Sequence, residues 1–235
     1  MRINQYVAQA TGISRRAADK EIDAGKVRVN GAPAPHGLQV DPDKDRVEWG
    51  GKRLALREGH VTIALYKPAG YVTSRKRESP DPIVMDLLPP DLRHLRPVGR
   101  LDRDSEGLLL LSSDGDLIQR STHPSFETEK EYLMELSSPA KENLADRFLR
   151  GIKFPEGMAR ADKVVRETAK RWRVVLHQGF NRQIRRMASR VGTEVVRLVR
   201  VRSGNIALGD LQPGEWRRIV MDRARRTTST EDRAA

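Results

Sequence analysis

The chain has 235 residues, with 44 Lys or Arg against 32 Asp or Glu and a formal net charge of +12. That balance exceeds what solubility alone asks for and points to a polyanionic partner such as nucleic acid. There is no cysteine, which excludes disulfides and thiolate metal sites, and no apolar run approaches the roughly 20 residues of a membrane span. From Val165 to Arg226 sixteen Lys or Arg face five Asp or Glu, so most of the positive excess lies in the last third.

No long apolar signal core follows Met1-Arg2-Ile3-Asn4-Gln5, so a cytoplasmic location without a membrane partner is expected. Ile3, Tyr6, Val7 and Ala10 fall at i, i+3, i+4, i+7, one face of a helix that Gly12 ends. Ser14 caps a second helix over Arg15 to Ala24, closed by Gly25. Lys26 to Gly31 alternates polar and apolar residues and ends in a hairpin-type Asn-Gly, and a second strand is expected around Arg46 to Trp49. Arg2, Arg15, Arg16, Lys20, Lys26 and Arg28 make this a basic module. Its order resembles the S4 RNA-binding domain, on Ser14-Arg15-Arg16-Ala17-Ala18, Ile22, Gly25 and Val27-Arg28-Val29-Asn30-Gly31. The resemblance implies that Arg2, Arg15, Arg16, Lys26 and Asn30 contact RNA.

Residues 50–60 read as an interdomain linker. Val61 to Tyr66 is an apolar strand that breaks at Lys67-Pro68-Ala69-Gly70, a turn in which Gly supplies positive φ. Lys67 is either a phosphate contact or a solvated turn residue. Arg75 to Pro82 is a polar, mobile loop, and Ile83 to Leu88 a short apolar helix stopped by Pro89-Pro90.

Gly99-Arg100-Leu101-Asp102-Arg103-Asp104-Ser105-Glu106-Gly107 then runs into four consecutive leucines, Leu108 to Leu111. Leucines bounded by small polar residues and an Asp-Gly pair predict a short strand buried on both faces. Asp102 stands just before it, either as one acid of a solvated charged loop with Asp104 and Glu106 or as a reactive group held by a rigid sheet. Leu117 to Ser121 is a helix that His123-Pro124 closes. Glu129 to Leu136 is a half-buried strand carrying Tyr132, Met134 and Leu136. Pro139 to Arg150 is an amphipathic helix with Leu144, Phe148 and Leu149 inward. Val174 to Leu176 is a strand, and Gln183 to Val191 a helix with Ile184, Met187, Ala188 and Val191 on its apolar face. Val195 to Val201 is a strand interleaved with Arg197 and Arg200, and a last strand or helix follows Gly214-Glu215-Trp216-Arg217. Residues 223–235 have the composition of a disordered tail.

Many short strands with a few helices, in no regular alternation, predict an α+β fold. No G-x-G-x-x-G or P-loop occurs, so no nucleotide cofactor is expected. The five histidines lack ligand spacing, so no metal is expected. A carboxylate loop, a strand bearing a tyrosine and an Arg-rich helix mouth suggest an acid kept ionised by an Arg partner, beside an aromatic platform for a nucleobase.

Four segments, in order, resemble the pseudouridine synthases of the RsuA/RluB/RluE/RluF group. They are Lys67-Pro68-Ala69-Gly70, Gly99-Arg100-Leu101-Asp102-Arg103-Asp104-Ser105-Glu106-Gly107-Leu108, Lys130-Glu131-Tyr132 and Asn181-Arg182-Gln183-Ile184-Arg185-Arg186-Met187. The resemblance implies an S4-like α/β RNA-binding module over 1–58, a mixed, mainly antiparallel-sheet catalytic domain over 59–222, and the tail after it. It implies that Asp102 is the catalytic nucleophile or base, that Tyr132 stacks near the target base, and that Arg185 pairs with Asp102. Arg100 fills the space left by a flipped nucleotide, while Lys67 joins the RNA contacts. Ser105 stands where many relatives carry Thr, and Asp104 and Glu106 match no essential position.

The implied reaction turns a uridine of RNA into pseudouridine, with no cofactor and no metal, by a monomer. Leu176 to Gln183 and Ser203-Gly204-Asn205-Ile206 look most like RluF-type members, which favours 23S over 16S rRNA. A 16S rRNA or tRNA target, and a non-catalytic RNA-binding or ribosome-assembly protein, remain the alternatives. A hydrolase built on Asp102 and Asp104 is the weaker reading.

Overall fold

The computed structural model describes residues 1–56, 59–122, 128–140, 143–221 and 228–229. Its contacts divide the chain into two units, Met1–His60 and Val61–Ala235.

In the first unit α1 (Ile3–Thr11) and α2 (Arg15–Asp23) share a core with β1 (Val27–Val29), β2 (Ala32–Pro33), β3 (Val47–Trp49) and β4 (Lys52–Arg53). The sheet order is β2-β1-β3-β4. The apolar face of α1 is Ile3, Tyr6 and Val7, all buried. Ser14 caps α2 by accepting a hydrogen bond from the Ala17 nitrogen at 3.1 Å. Asn30 and Gly31 both have positive φ, 52° and 86°, and make the tight β1–β2 turn. Gly50 and Gly51 repeat the device at 55° and 76°. The expected linker over 50–60 is therefore corrected: two successive glycines turn the chain back, and Lys52–Arg53 is a strand of this sheet.

The second unit is built on a ten-stranded sheet. In chain order its elements are β5 (Thr62–Lys67), β6 (Arg96–Val98), β7 (Glu106–Ser112), α3 (Gly115–Thr122), β8 (Lys130–Leu136), α4 (Leu144–Arg150), β9 (Ile152–Phe154), β10 (Gly157–Ala159), β11 (Lys163–Arg166), β12 (Arg171–Leu176), α5 (Gln183–Arg190), β13 (Val195–Ser203), β14 (Ile206–Ala207), β15 (Trp216–Met221) and β16 (Thr228–Ser229). The main order is β11-β12-β8-β13-β7-β5-β15-β16, with β6 on β7, β14 on β13, and β9–β10 a separate hairpin. Its ladders are antiparallel except the central β7–β13 pair.

The four leucines of β7 are buried on both faces. Leu109 and Leu111 pack with Ile63, Leu65 and Leu95. Leu108 and Leu110 pack on the other side with Ala64, Tyr66 and Val98. Over the β12–β8–β13 half, α4 and α5 cover a third cluster that includes Phe148, Trp172 and Met187.

Two expectations are corrected here. The helix expected over 139–150 begins at Leu144; residues 139–140 are not helical, and 141–142 lie outside the described residues. Leu149 is 42% exposed, because the short helix turns only Leu144 and Phe148 to the core. The His123-Pro124 stop lies outside the described residues. Of the expected tail, Thr228–Ser229 is instead a strand paired with β15, and the rest lies outside them. Hairpin β9–β10, β11, β6 and β14 had no signal in the hydrophobic pattern; each has four residues or fewer. Among the described residues no helix is long and apolar enough to cross a membrane.

Candidate active site

Asp102 lies on the loop between β6 and β7, and that loop is pinned through its backbone on both sides of it. The Thr73 hydroxyl donates to the Leu101 carbonyl at 2.8 Å. The Gly70 nitrogen donates to the Arg103 carbonyl at 2.7 Å. The Ser105 nitrogen closes the turn on the Asp102 carbonyl at 3.1 Å. Among the described residues the Asp102 carboxylate itself has no hydrogen bond or ion pair. It stands in the field of Lys67, Arg182 and Arg185.

Lys67 does not contact RNA in this arrangement, which corrects that expectation. Its side chain is fully buried, and its ammonium donates to the carbonyls of Pro68, Arg103 and Ser105 at 2.9, 3.3 and 2.7 Å. All three donors are used on the Asp102 loop and its neighbour. Burial pushes its pKa down to about 8, against the pull of Asp104, Glu106 and Asp102.

Arg185 does not pair with Asp102. Its Nε lies 3.3 Å from an Asp104 carboxylate oxygen. Its other nitrogens donate to the Val195 and Asp104 carbonyls at 2.7 and 2.8 Å. Burial holds the Arg185 pKa below its ordinary value. Arg182, in a left-handed conformation at the start of α5, grips Asp104 with two bonds of 2.7 and 2.8 Å. Those bonds, with the Arg185 charge, hold Asp104 below the usual carboxylate range. Glu106 is taken by Arg197, at 3.0 Å on each oxygen, and by the Tyr66 hydroxyl. Both neighbouring acids are thus structural, and Asp104 is not free to serve with Asp102 as a hydrolytic pair.

A cleft of about 890 Å³ opens over Asp102. Arg100, Asp102 and Ser105 form one wall, Tyr132 lies on β8, and His177 to Ile184 form the opposite wall. Tyr132 is half-buried and packs against two of the apolar clusters, so its ring is held in place. Arg100 is exposed at the mouth. The opposite wall is stapled from behind: the Gln183 amide donates to the Arg160 carbonyl and to Gln178 at 3.2 and 2.9 Å. His177 Nδ1 sits 2.9 Å from both Asp162 oxygens. Lys130, Arg182 and Arg200 also line the cleft; Lys130 and Arg182 stand in the quoted motifs and Arg200 on the strand over Val195 to Val201, but none was assigned a role from sequence. Their signal was present as basic residues on predicted strand and helix ends, but a basic residue in a basic chain is not distinctive.

In the first unit Arg2, Arg15, Arg16 and Lys26 are exposed, with Lys26 3.1 Å from Glu21. Asn30 is exposed as well, and its side chain also serves the fold. Its amide donates to Asp45 at 2.9 Å and accepts from the Arg46 nitrogen at 2.9 Å, so both ends of its side chain hold the hairpin.

Residues 61–190 match the RNA pseudouridylate synthase family and residues 1–44 match the S4 domain. The chain is 38% identical over 224 residues to the dual-specificity RNA pseudouridine synthase RluF of Escherichia coli strain K12, covering 94% of this chain and 76% of that one. It is 35% identical to an uncharacterized RNA pseudouridine synthase of Aquifex aeolicus strain VF5, over 93% of this chain and 90% of that one. A crystal structure of a pseudouridylate synthase superposes with a TM-score of 0.68 at 29% identity, over 94% of this chain and 96% of that one.

Proposed function

The chain belongs to the RNA pseudouridylate synthase family and is an isomerase acting on RNA, and from that premise we propose that it converts a specific uridine of 23S rRNA to pseudouridine, with Asp102 as the reacting carboxylate. One observation carries the assignment: Asp102 is a carboxylate without a partner among the described residues, on a backbone-pinned loop, in a cleft that also holds the Tyr132 ring. A free carboxylate keeps its lone pairs for a reacting atom, and the pinned loop fixes where they point. The large-subunit target is supported by the RluF-like segments at 176–183 and 203–206.

The target uridine leaves its stack to enter the cleft. Tyr132 offers a face for the base, and Arg100 at the mouth offers a side chain to occupy the vacated place in the stack. Asp102 acts as nucleophile or base while the bond between C1′ and N1 breaks. The base turns and C5 bonds to C1′; C5 gives up a proton and N1 gains one. Atoms and electrons balance without an added oxidant or reductant. The S4-like unit adds Arg2, Arg15, Arg16 and Lys26 as phosphate contacts.

Asp102→Asn is isosteric and removes the charge. It is expected to slow pseudouridine formation by at least ~10⁴-fold while RNA binding survives. Mapping pseudouridines in rRNA from cells with and without the gene identifies the target. Normal turnover by the Asn variant would sink the Asp102 assignment, and a missing site in 16S rRNA instead of 23S would sink the substrate assignment.

A further inference from the structure

Among the described residues, two cations in the cleft lack the anion that a desolvated charge requires. Arg200 is 4% exposed, and its Nε donates to the Leu108 carbonyl at 2.7 Å. Lys130 donates to the carbonyls of Thr128 and His177 at 3.0 and 2.9 Å, which leaves one of its three N–H groups. Among the described residues neither has a carboxylate partner. They also act against each other: burial first, and then the Arg200 charge, holds Lys130 below the ordinary lysine range. The other buried cations of this unit differ. Lys67 has Asp104, Glu106 and Asp102 around it, and Arg185 lies against Asp104. Desolvating two like charges without a counter-charge is costly. Such a pair in a cleft marks a place where a ligand brings the negative charge.

Their position says which part of the ligand that is. Arg200 is the cross-strand partner of Tyr132, and Lys130 precedes Tyr132 by two residues. The three side chains therefore share one face of the sheet, and all three line the cleft. A base lying on Tyr132 presents its edge to the two cations. A backbone phosphate stays near the solvent-facing mouth, whereas Arg200 is nearly sealed.

We infer that Lys130 and Arg200 are catalytic residues that hold the uracil carbonyl oxygens while negative charge builds on the base. If the glycosidic bond breaks with its electron pair left on N1, the detached ring is an anion whose charge spreads to O2 and O4. If the carboxylate first adds to C6, the electrons pushed through the ring come to rest on O4 as an enolate. Both routes charge the same carbonyl edge, and the charge disappears when C5 has bonded to C1′, lost its proton, and N1 has gained one. Fixed cations aimed at charge that exists only during the reaction accelerate it without tightening binding of the resting substrate.

The inference rests on the reading of this cleft as the uridine site, so Asp102→Asn is assayed beside the test variants. Lys130→Met in the full chain is expected to lower kcat about 100-fold, with no loss of thermal midpoint and with KM and the slope of log affinity against log salt unchanged. Lys130→Arg restores part of the rate, and Arg200→Lys lowers kcat in the same way. Should Lys130→Met fail to fold, Lys130→Gln carries the same measurement. Wild-type kcat in the Lys130 variants overturns the inference. So does a raised KM with the salt slope reduced by about 0.7, the mark of one single-strand phosphate that is no longer neutralised. Turnover by Asp102→Asn overturns the reading of the cleft, whereas an inactive Asp102→Asn beside a fully active Lys130→Met overturns this inference alone.

Discussion

With its ammonium donating to three carbonyls, Lys67 acts on Asp102 through the backbone between them. A charged amine supplies three donors and a neutral one only two, so the clamp weakens as Lys67 loses its proton near its pKa of about 8. The stability effect has the opposite sign. The folded pKa lies below the ordinary 10.5, so between those values the unfolded chain binds the extra proton and the Lys67 contribution to stability rises with pH. Burial of the ammonium costs its full amount below about 8 and is relieved above it. The expected outcome is a kcat that falls as pH climbs through 8 with no loss of thermal midpoint from this group. Lys67→Met removes that limb of the profile and lowers kcat by about 10- to 100-fold through a loosened loop. A pH profile of the variant that keeps the wild-type limb would refute the link.

The β7–β13 seam joins the strand behind Asp102 to the strand bearing Arg200, and one residue permits it. Gly107 has φ of +99°, where side chains are strained. A Cβ there would overlap the Arg200 carbonyl oxygen and stand 2.7 Å from the Arg200 nitrogen. Gly107→Ala is expected to cost about 3 kcal/mol or more, read as a lower denaturant midpoint, and to abolish activity with it. Alanine at wild-type stability would mean that the seam relaxes freely. The sequence marked β7 strongly, because four leucines between small polar residues, closed by an Asp-Gly turn, read as a short strand buried on both faces. It did not mark the seam, since a parallel pairing between strands some ninety residues apart leaves no local trace. Short strands such as β9 and β10 were equally silent: three residues are too few to establish a period.

At the scale of the molecule the charge is unevenly shared between the two units. Residues 1–60 hold eleven Lys or Arg against eight Asp or Glu, so most of the +12 belongs to the unit with the cleft. The first unit nevertheless exposes Arg2, Arg15, Arg16 and Lys26. Each unit has its own apolar core. A chain of residues 61–235 is therefore expected to melt cooperatively by itself and to bind RNA more weakly. Each phosphate that the first unit neutralises in the full chain adds about 0.7 to 0.9 to the salt slope, so the shorter chain has the shallower slope. Titration of both forms across salt concentrations reads this directly, and an unchanged slope would assign no phosphate to residues 1–60.

The amino-acid sequence determined the α+β class, the S4-like opening, the Asp102 loop with its leucine mount, and the company of Tyr132. These depend on local order: capping residues, glycines at turns, a two-residue period, and motifs whose members are adjacent. Tertiary structure alone decided the partners. It gave Arg185 to Asp104 in place of Asp102, with Arg182 on the same carboxylate, and turned Lys67 inward onto carbonyls. It bonded the Asn30 amide to Asp45 and Arg46, and left Arg200 and Lys130 without an acid among the described residues. The physical reason is that a charge on a long side chain is specified by what lies within a few ångströms of its tip. In this fold those neighbours come from strands and loops far apart in the chain.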